Sequence, residues 1–130
     1  MTMSRRNEPF RYAFHPGQPC LIRPYEINGN RVASGKQAEA TMLDLSQGGG
    51  KLETALNFRL SHNECKIVLS LNLTRTLELR GTLVWEERRA HDYQYGVRFD
   101  DAHRQEITDE LKAFAKLKHQ QAEEAKLAHV

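Results

Sequence analysis

The stretch LSLNLTRTLELRGTLVWEERRAHDYQYGVRF, residues 69–99, contains three segments in which apolar and polar residues alternate. Every second residue in each segment is apolar except Gly81, where a barrel strand can bend. The apolar positions are Leu69, Leu71 and Leu73; Leu77, Leu79, Leu83 and Trp85; Tyr93, Tyr95, Val97 and Phe99. A period of two is typical of a strand with one buried face. Several short strands separated by turn residues predict a mainly β protein, either a small antiparallel barrel or a sandwich.

Two further strands are predicted towards the N-terminus. Residues 20–27 form the first, which Pro24 restricts to a sheet edge or a bulge because proline lacks the backbone N–H. The Asn-Gly-Asn sequence at 28–30 is typical of a hairpin turn. Residues 38–45 form the second strand, which ends at the three glycines of positions 48–50.

The pattern changes to a helical period at the C-terminus. Apolar residues follow Asp100 and Asp101 at a spacing of three to four, namely Ile107, Leu111, Phe114 and Leu117. We therefore expect a helix near residues 101–118, with the two aspartates at its N-terminus. The resulting organisation is a flexible basic arm (1–18), a β-domain with its helix (19–118) and a helical or frayed tail (119–130).

Composition limits the functions that this chain can have. Its 130 residues suit one domain, and a formal net charge of +2 is too small for a general nucleic-acid binder. No long apolar run predicts a membrane span, and no apolar segment follows the basic N-terminus as in a secretory signal. We expect a cytoplasmic protein that does not insert into membranes and does not bind DNA or RNA.

Neither a metal site nor an enzyme is predicted. Cys20 and Cys65 lack the spacing of metal ligands, and the six histidines form no metal-binding motif. The Gly-Gly-Gly-Lys run at 48–51 resembles a phosphate-binding loop, but Leu45 and Leu52 replace its first glycine and its Ser/Thr. Ser46 lacks the glycine two residues upstream that a nucleophile elbow requires.

The segment Asp-Leu-Ser-Gln-Gly-Gly, residues 44–49, is the best candidate for a binding site. Strand alternation places Asp44 and Ser46 on one face and Leu43 and Leu45 on the other, core-facing one. A carboxylate can accept hydrogen bonds from the N1 and N2 edge of guanine, and glycines let a ligand approach the backbone. The same two side chains could instead only stabilise a turn, as Asp and Ser often do.

The same segment resembles the (Asp/Asn)-x-Ser-x-x-Gly motif of PilZ domains. Residues 79–85, LRGTLVW, resemble that family's strand ending in Gly-x-Val-x-Trp, and 95–99, YGVRF, resemble its Gly-(Val/Ile)-x-Phe strand. The resemblance spans about residues 5–117 and is to the stand-alone, single-domain type. It implies a six-stranded antiparallel barrel with a C-terminal helix that binds cyclic di-GMP (c-di-GMP), without a further cofactor, to control motility, exopolysaccharide or adhesion.

The arginines of the arm depart from the family pattern of Arg-x-x-x-Arg. Four residues separate Arg6 from Arg11, so Arg6 corresponds to the first family arginine only if the arm absorbs one extra residue. Guanidinium groups can grip guanine or phosphate bidentately. The implied ligand-binding residues are Arg5, Arg6, Arg11, Asp44, Ser46, Gly48 and Gly49.

Two functions remain open at this point. The first is a c-di-GMP receptor that relays ligand binding to an unidentified protein partner. The second is a degenerate PilZ-like adaptor that acts through protein contacts without the nucleotide, for which the irregular arginine spacing is the best support. A single-stranded nucleic-acid binder is a weaker third, since the aromatics have core parity. Trp85, the single tryptophan, is predicted as a core residue, with a wall against the ligand as the alternative.

Overall fold

A computed structural model describes residues 11–33 and 36–128, which form seven strands and a C-terminal helix. The strands are β1 (Arg11–Ile27), β2 (Asn30–Arg31), β3 (Ala38–Ser46), β4 (Gly49–Thr54), β5 (Cys65–Asn72), β6 (Thr76–Arg88) and β7 (Tyr93–Phe99). A short 3-10 helix (Asp101–His103) leads into α1 (Arg104–Ala128).

The six long strands form a closed antiparallel barrel. Their order is β1-β3-β4-β7-β6-β5, and β5 pairs again with β1 to close the sheet. The two-residue β2 pairs only with the end of β1, across the predicted turn, where Asn28 and Gly29 have positive φ. The predicted fold class, a six-stranded antiparallel barrel with a C-terminal helix, is confirmed.

Strand β1 begins at Arg11, so residues 11–18 belong to the barrel although the sequence places them in the arm. Arg11 pairs with Ser46 and Ala13 with Asp44, and the register then shifts before Gln18 pairs with Met42. The irregularity contains Pro16, which cannot donate to a strand ladder and hides the first half of the strand from a pattern-based prediction. A second register shift follows Pro24, where a bulge was expected.

Helix α1 covers the barrel with a short apolar stripe. Ile107, Leu111 and Phe114 are buried, and the Phe114 ring lies 5.4 Å from Tyr12 and 5.8 Å from Phe14, measured between centroids. Leu117, expected on the same stripe, is 37% exposed. The helix begins three residues later than expected and continues through the predicted tail to Ala128. Among the described residues, no helix combines the length and apolarity needed to cross a bilayer.

A buried carboxylate fixes α1 to the turn between β5 and β6. Glu110 is 3% exposed and accepts hydrogen bonds from the backbone N–H groups of Thr74 (2.6 Å) and Arg75 (2.8 Å) and from the Thr74 hydroxyl. The Arg75 guanidinium adds an ion pair at 3.6 Å. Charged acceptors make stronger hydrogen bonds than neutral ones, so this contact should help to hold the helix on the barrel, together with the apolar stripe.

Candidate ligand-binding site

The turn between β3 and β4 forms one wall of a surface cleft with a volume of about 320 Å³. The outer faces of β6 and β7 form the floor, and the first residue of α1 closes one side. The lining residues are Arg11, Ser46, Gly48, Gly49, Gly50, Lys51, Val84, Trp85, Gly96, Val97, Arg98 and Arg104. The structure thus brings together four of the seven residues implied by the family resemblance: Arg11, Ser46, Gly48 and Gly49.

Asp44 lies directly behind this wall and holds Arg11 in place. Its Oδ1 accepts a hydrogen bond from Arg11 Nη1 at 2.9 Å and another from the Lys51 backbone N–H at 3.0 Å. The Asp44 side chain is 16% exposed and that of Arg11 is 54% exposed. Since a guanidinium carries five N–H donors, this ion pair orients Arg11 and leaves donors for a ligand.

Strand alternation around Asp44 is interrupted by a bulge. The register shifts between Met42 and Asp44, and Met42 is fully buried whereas Leu43, expected in the core, is half-buried. Because a bulge inserts one unpaired residue, the side chains after it change face. Leu45 regains the core position that the sequence predicts.

Ser46 and Gly49 shape the turn itself. The Ser46 hydroxyl donates to the Gly49 carbonyl oxygen at 3.1 Å, and the side chain is 4% exposed, which supports the turn-stabilising interpretation of this residue. A Cβ on Gly49 would overlap the carbonyl oxygen of Val97 on β7. Gly49 therefore permits the close approach of β4 to β7, whereas Gly48 has ordinary space around it.

Trp85 lies in the cleft, and its predicted place in the core is wrong. It is 42% exposed, because the register of β6 against β7 shifts between Leu83, which is buried, and Trp85. A bulge of one residue moves the following side chain to the opposite face. The indole lies across Gly96, where a Cβ would overlap the ring. The exposure of Trp85 leaves the alternative interpretation, a wall against the ligand, as a prediction.

Three cations of the cleft were missed in the sequence analysis. Lys51 Nζ lies 5.9 Å from the centroid of the Trp85 ring, within cation–π range. Arg98 is exposed beside Gly49, its partner in the register of β7 with β4. Arg104 comes from α1. Strand alternation could have predicted that Arg98 points outwards. The position of Lys51 depends on the bulge in β3, and that of Arg104 depends on how α1 packs against the barrel, so neither could be predicted in this way.

The cleft is strongly cationic. Arg11, Lys51, Arg98 and Arg104 contribute four positive charges, and no carboxylate is found among its described lining residues. Two of the four pair with carboxylates outside the lining, Arg11 with Asp44 and Arg104 with Asp101. The formal net charge of the entire chain is only +2. A concentration of guanidinium and ammonium groups around exposed backbone and an indole is suited to an anionic ligand with aromatic rings.

The sequence matches the family model of the PilZ domain over residues 5–116. This chain belongs to the PilZ family. The cleft of this PilZ domain contains Ser46, Gly48 and Gly49 of the segment 44–49 that resembles the family motif, together with Trp85. The first two arginines of the arm, Arg5 and Arg6, fall outside the residues that the structure describes.

Solved PilZ structures share this fold. The PilZ domain with c-di-GMP of YcgR from Escherichia coli superimposes with a TM-score of 0.62 at 16% identity, covering 91% of this chain and 95% of that one. YcgR from Escherichia coli in complex with c-di-GMP superimposes with a TM-score of 0.56 at 16% identity, covering 92% of this chain but 49% of that one. The PilZ domain of CeSA from a cellulose-synthesizing bacterium superimposes with a TM-score of 0.53 at 14% identity, covering 85% of this chain and 99% of that one. No protein among those with curated descriptions matches the sequence significantly.

Other parts of the PilZ domain offer less chemistry. A larger groove of about 630 Å³ is lined by residues of β1, β3, β4 and β5 and of the loop between β6 and β7. It includes Glu39, Glu53 and Asp92 and contains none of the residues implied by the resemblance. Among residues 11–33 and 36–128, no group of three His, Cys, Asp or Glu side chains could hold a metal ion. Both cysteines are buried free thiols, and burial raises the pKa of Cys20 to about 12.

Proposed function

We propose that this PilZ domain binds c-di-GMP in the cationic cleft. The observation that carries the proposal is the convergence of four cations and the Trp85 indole on the Asp-x-Ser-x-x-Gly turn. The ligand has two phosphodiester groups and two guanines. Guanidinium forks match phosphate oxygens and the O6/N7 edge of guanine, and an exposed indole provides a stacking surface for a base.

The residues of the cleft have separate tasks in this proposal. Arg11, oriented by Asp44, grips the ligand, while Arg5 and Arg6 add further contacts from the arm. The turn at 46–49 presents its backbone to the ligand at close range, because Gly48 and Gly49 have no side chains. Ordering a terminal segment costs conformational entropy, which lowers the affinity per contact.

Binding is then relayed to a protein partner in the cytoplasm, in a process such as motility, exopolysaccharide production or adhesion. We infer a receptor without catalytic activity. The cleft offers cations, backbone and an indole. The one hydroxyl among its described lining residues, that of Ser46, is used in the bond to Gly49 rather than aligned with a base. Receptor function needs only that the ligand change the surface presented to the partner.

A second candidate, an adaptor that does not bind the nucleotide, is favoured by a specific observation. Asp44 and Ser46 both have partners within the protein. Asp44 accepts hydrogen bonds from Arg11 and from the Lys51 backbone, and Ser46 donates one to the Gly49 carbonyl oxygen. If Asp44 and Ser46 have only this structural role, neither side chain requires a ligand to satisfy its hydrogen bonds. The irregular spacing between Arg6 and Arg11 points the same way.

Isothermal titration of the full chain with c-di-GMP distinguishes the two candidates. We expect binding with micromolar affinity, and far weaker binding of ATP, GTP and a short RNA. Trp85 provides an independent readout, because the fluorescence of the single tryptophan reports on occupancy of the cleft. Absence of both a heat and a fluorescence change at high micromolar c-di-GMP would favour the adaptor.

A further inference from the structure

Arg104, the first residue of α1, lies in the cleft although it belongs to neither the arm nor the motif. Its Nη1 is 3.7 Å from the position that a Cβ on Gly48 would occupy. The absent side chain of Gly48 therefore leaves the guanidinium in contact distance of the turn. Arg11 approaches the same turn from β1, as the register partner of Ser46.

The guanidinium of Arg104 is free to bind an anion, since its existing partner holds it weakly. Within residues 11–33 and 36–128, its ion pair is with Asp101 at 3.7 Å, and the Asp101 side chain is 94% exposed. Ion pairs between exposed groups contribute little, because water and salt screen them. A phosphate group in the cleft can replace Asp101 at small cost.

The Thr108 hydroxyl, one helical turn further along α1, shares its single hydrogen between two acceptors, one in the turn and one in the helix. The Thr108 hydroxyl lies 3.1 Å from Gln47 Oε1, in the turn between β3 and β4, and 2.9 Å from the Arg104 carbonyl oxygen. Gln47 directly follows Ser46. The start of α1 is thus tied to the same turn that Arg104 approaches, which reduces the cost of ordering a ligand contact there.

We infer that Arg104 is a further ligand-binding residue that contacts a phosphate group of the cyclic dinucleotide, and that Thr108 is a positioning residue acting through it. This inference rests on the proposed function. It places one ligand contact on α1, so that a ligand bound in the cleft contacts the helix as well as the barrel and the arm.

Titrations of c-di-GMP into the full-length wild type and single-site variants test the inference. Arg104→Gln should weaken binding about tenfold or more, as loss of a charge-assisted hydrogen bond does. Lys112→Gln removes one positive charge from an exposed position on the same helix and should change the dissociation constant less than about twofold. Thermal unfolding checks that each variant is folded, and Arg104→Lys, which keeps the charge but not the fork, should bind at an intermediate level.

Thr108→Val tests the positioning role by a double-mutant comparison. We expect it to weaken binding a few-fold in the wild-type background and to have no further effect in the Arg104→Gln background, because coupled residues are not additive. If wild type binds and Arg104→Gln behaves like Lys112→Gln, the inference is overturned while the proposed function stands. If wild type does not bind, the proposed function itself fails. An equal effect of Thr108→Val in both backgrounds would overturn the positioning role.

Discussion

Arg11 and Asp44 join the first residue of β1 to β3 by an ion pair, with Nη1 2.9 Å from Oδ1. The same carboxylate oxygen accepts the Lys51 backbone N–H of β4. One acidic side chain therefore connects three strands at the edge of the cleft. It also orients Arg11, one of the arginines to which the resemblance assigns ligand binding. The stability of this corner of the barrel should therefore depend on the same contact as the proposed ligand binding.

The first prediction concerns Asp44. Asp44→Ala should lower the free energy of unfolding by about 1–3 kcal/mol, because the half-buried Lys51 N–H loses its acceptor. It should also weaken c-di-GMP binding, since Arg11 is no longer oriented. Chemical denaturation and calorimetric titration measure the two effects.

Ser46→Ala, which removes only the hydrogen bond to Gly49, should lower the free energy of unfolding by about 1 kcal/mol. Binding of wild-type strength in folded Asp44→Ala would leave Asp44 a purely structural role.

Trp85 should contribute to binding without contributing much to the fold. Trp85→Ala should weaken c-di-GMP binding by about 1–3 kcal/mol, the usual contribution of base–aromatic stacking. The melting temperature should change little because the side chain is 42% exposed. Trp85→Phe should retain part of the affinity. Val84, 46% exposed in the same cleft, provides the control, and an equal loss in Val84→Ala would argue against stacking.

The two glycines of the motif should respond differently to alanine. Gly49→Ala should destabilise the barrel by about 1–3 kcal/mol, since its Cβ would overlap the Val97 carbonyl oxygen and force β4 and β7 apart. Gly48→Ala should change stability by less than about 0.5 kcal/mol, because the nearest atom is Arg104 Nη1 at 3.7 Å. Urea unfolding curves measure both, and similar midpoints would contradict this assignment.

Glu110 should be the main anchor of α1. Glu110→Ala leaves the backbone donors of Thr74 and Arg75 without their acceptor, so we expect a loss of about 3 kcal/mol in unfolding free energy. The backbone amide hydrogens of α1 should also exchange faster in Glu110→Ala than in the wild type. Glu124→Ala, at an exposed position on the same helix, is the matched control and should be close to neutral. Equal stabilities would show that apolar packing alone holds the helix.

The strands were predictable wherever side chains alternate without interruption, and the errors occur at bulges. Leu77, Leu79 and Leu83 follow strict parity and are buried, but the register shift after Leu83 turns Trp85 outwards. No residue type encodes that shift. The motif could be recognised from its local sequence, whereas Arg104 enters the cleft only because α1 docks beside the turn. Such long-range placement cannot be derived from the periodicity of one segment.

The last prediction concerns the arginines around the irregular spacing. Arg11→Ala should weaken c-di-GMP binding more than Arg5→Ala or Arg6→Ala, because Asp44 orients Arg11 and no neighbouring residue can replace it. Arg5→Ala should have the smallest effect, since Arg6 is adjacent and the arm can shift its register. Arg11→Lys should rescue binding only in part, because an ammonium group cannot reproduce a planar bidentate fork or stack on guanine.

Measurements at two salt concentrations separate a specific arginine clamp from general attraction. Screening weakens the interactions of exposed charges, so a loss caused only by missing charge should shrink at high salt. The loss in Arg11→Ala should persist there, because it includes directed hydrogen bonds. Thermal unfolding of Arg11→Ala corrects for the lost ion pair with Asp44. Three equal losses that disappear at high salt would mean that the arm attracts the ligand without gripping it.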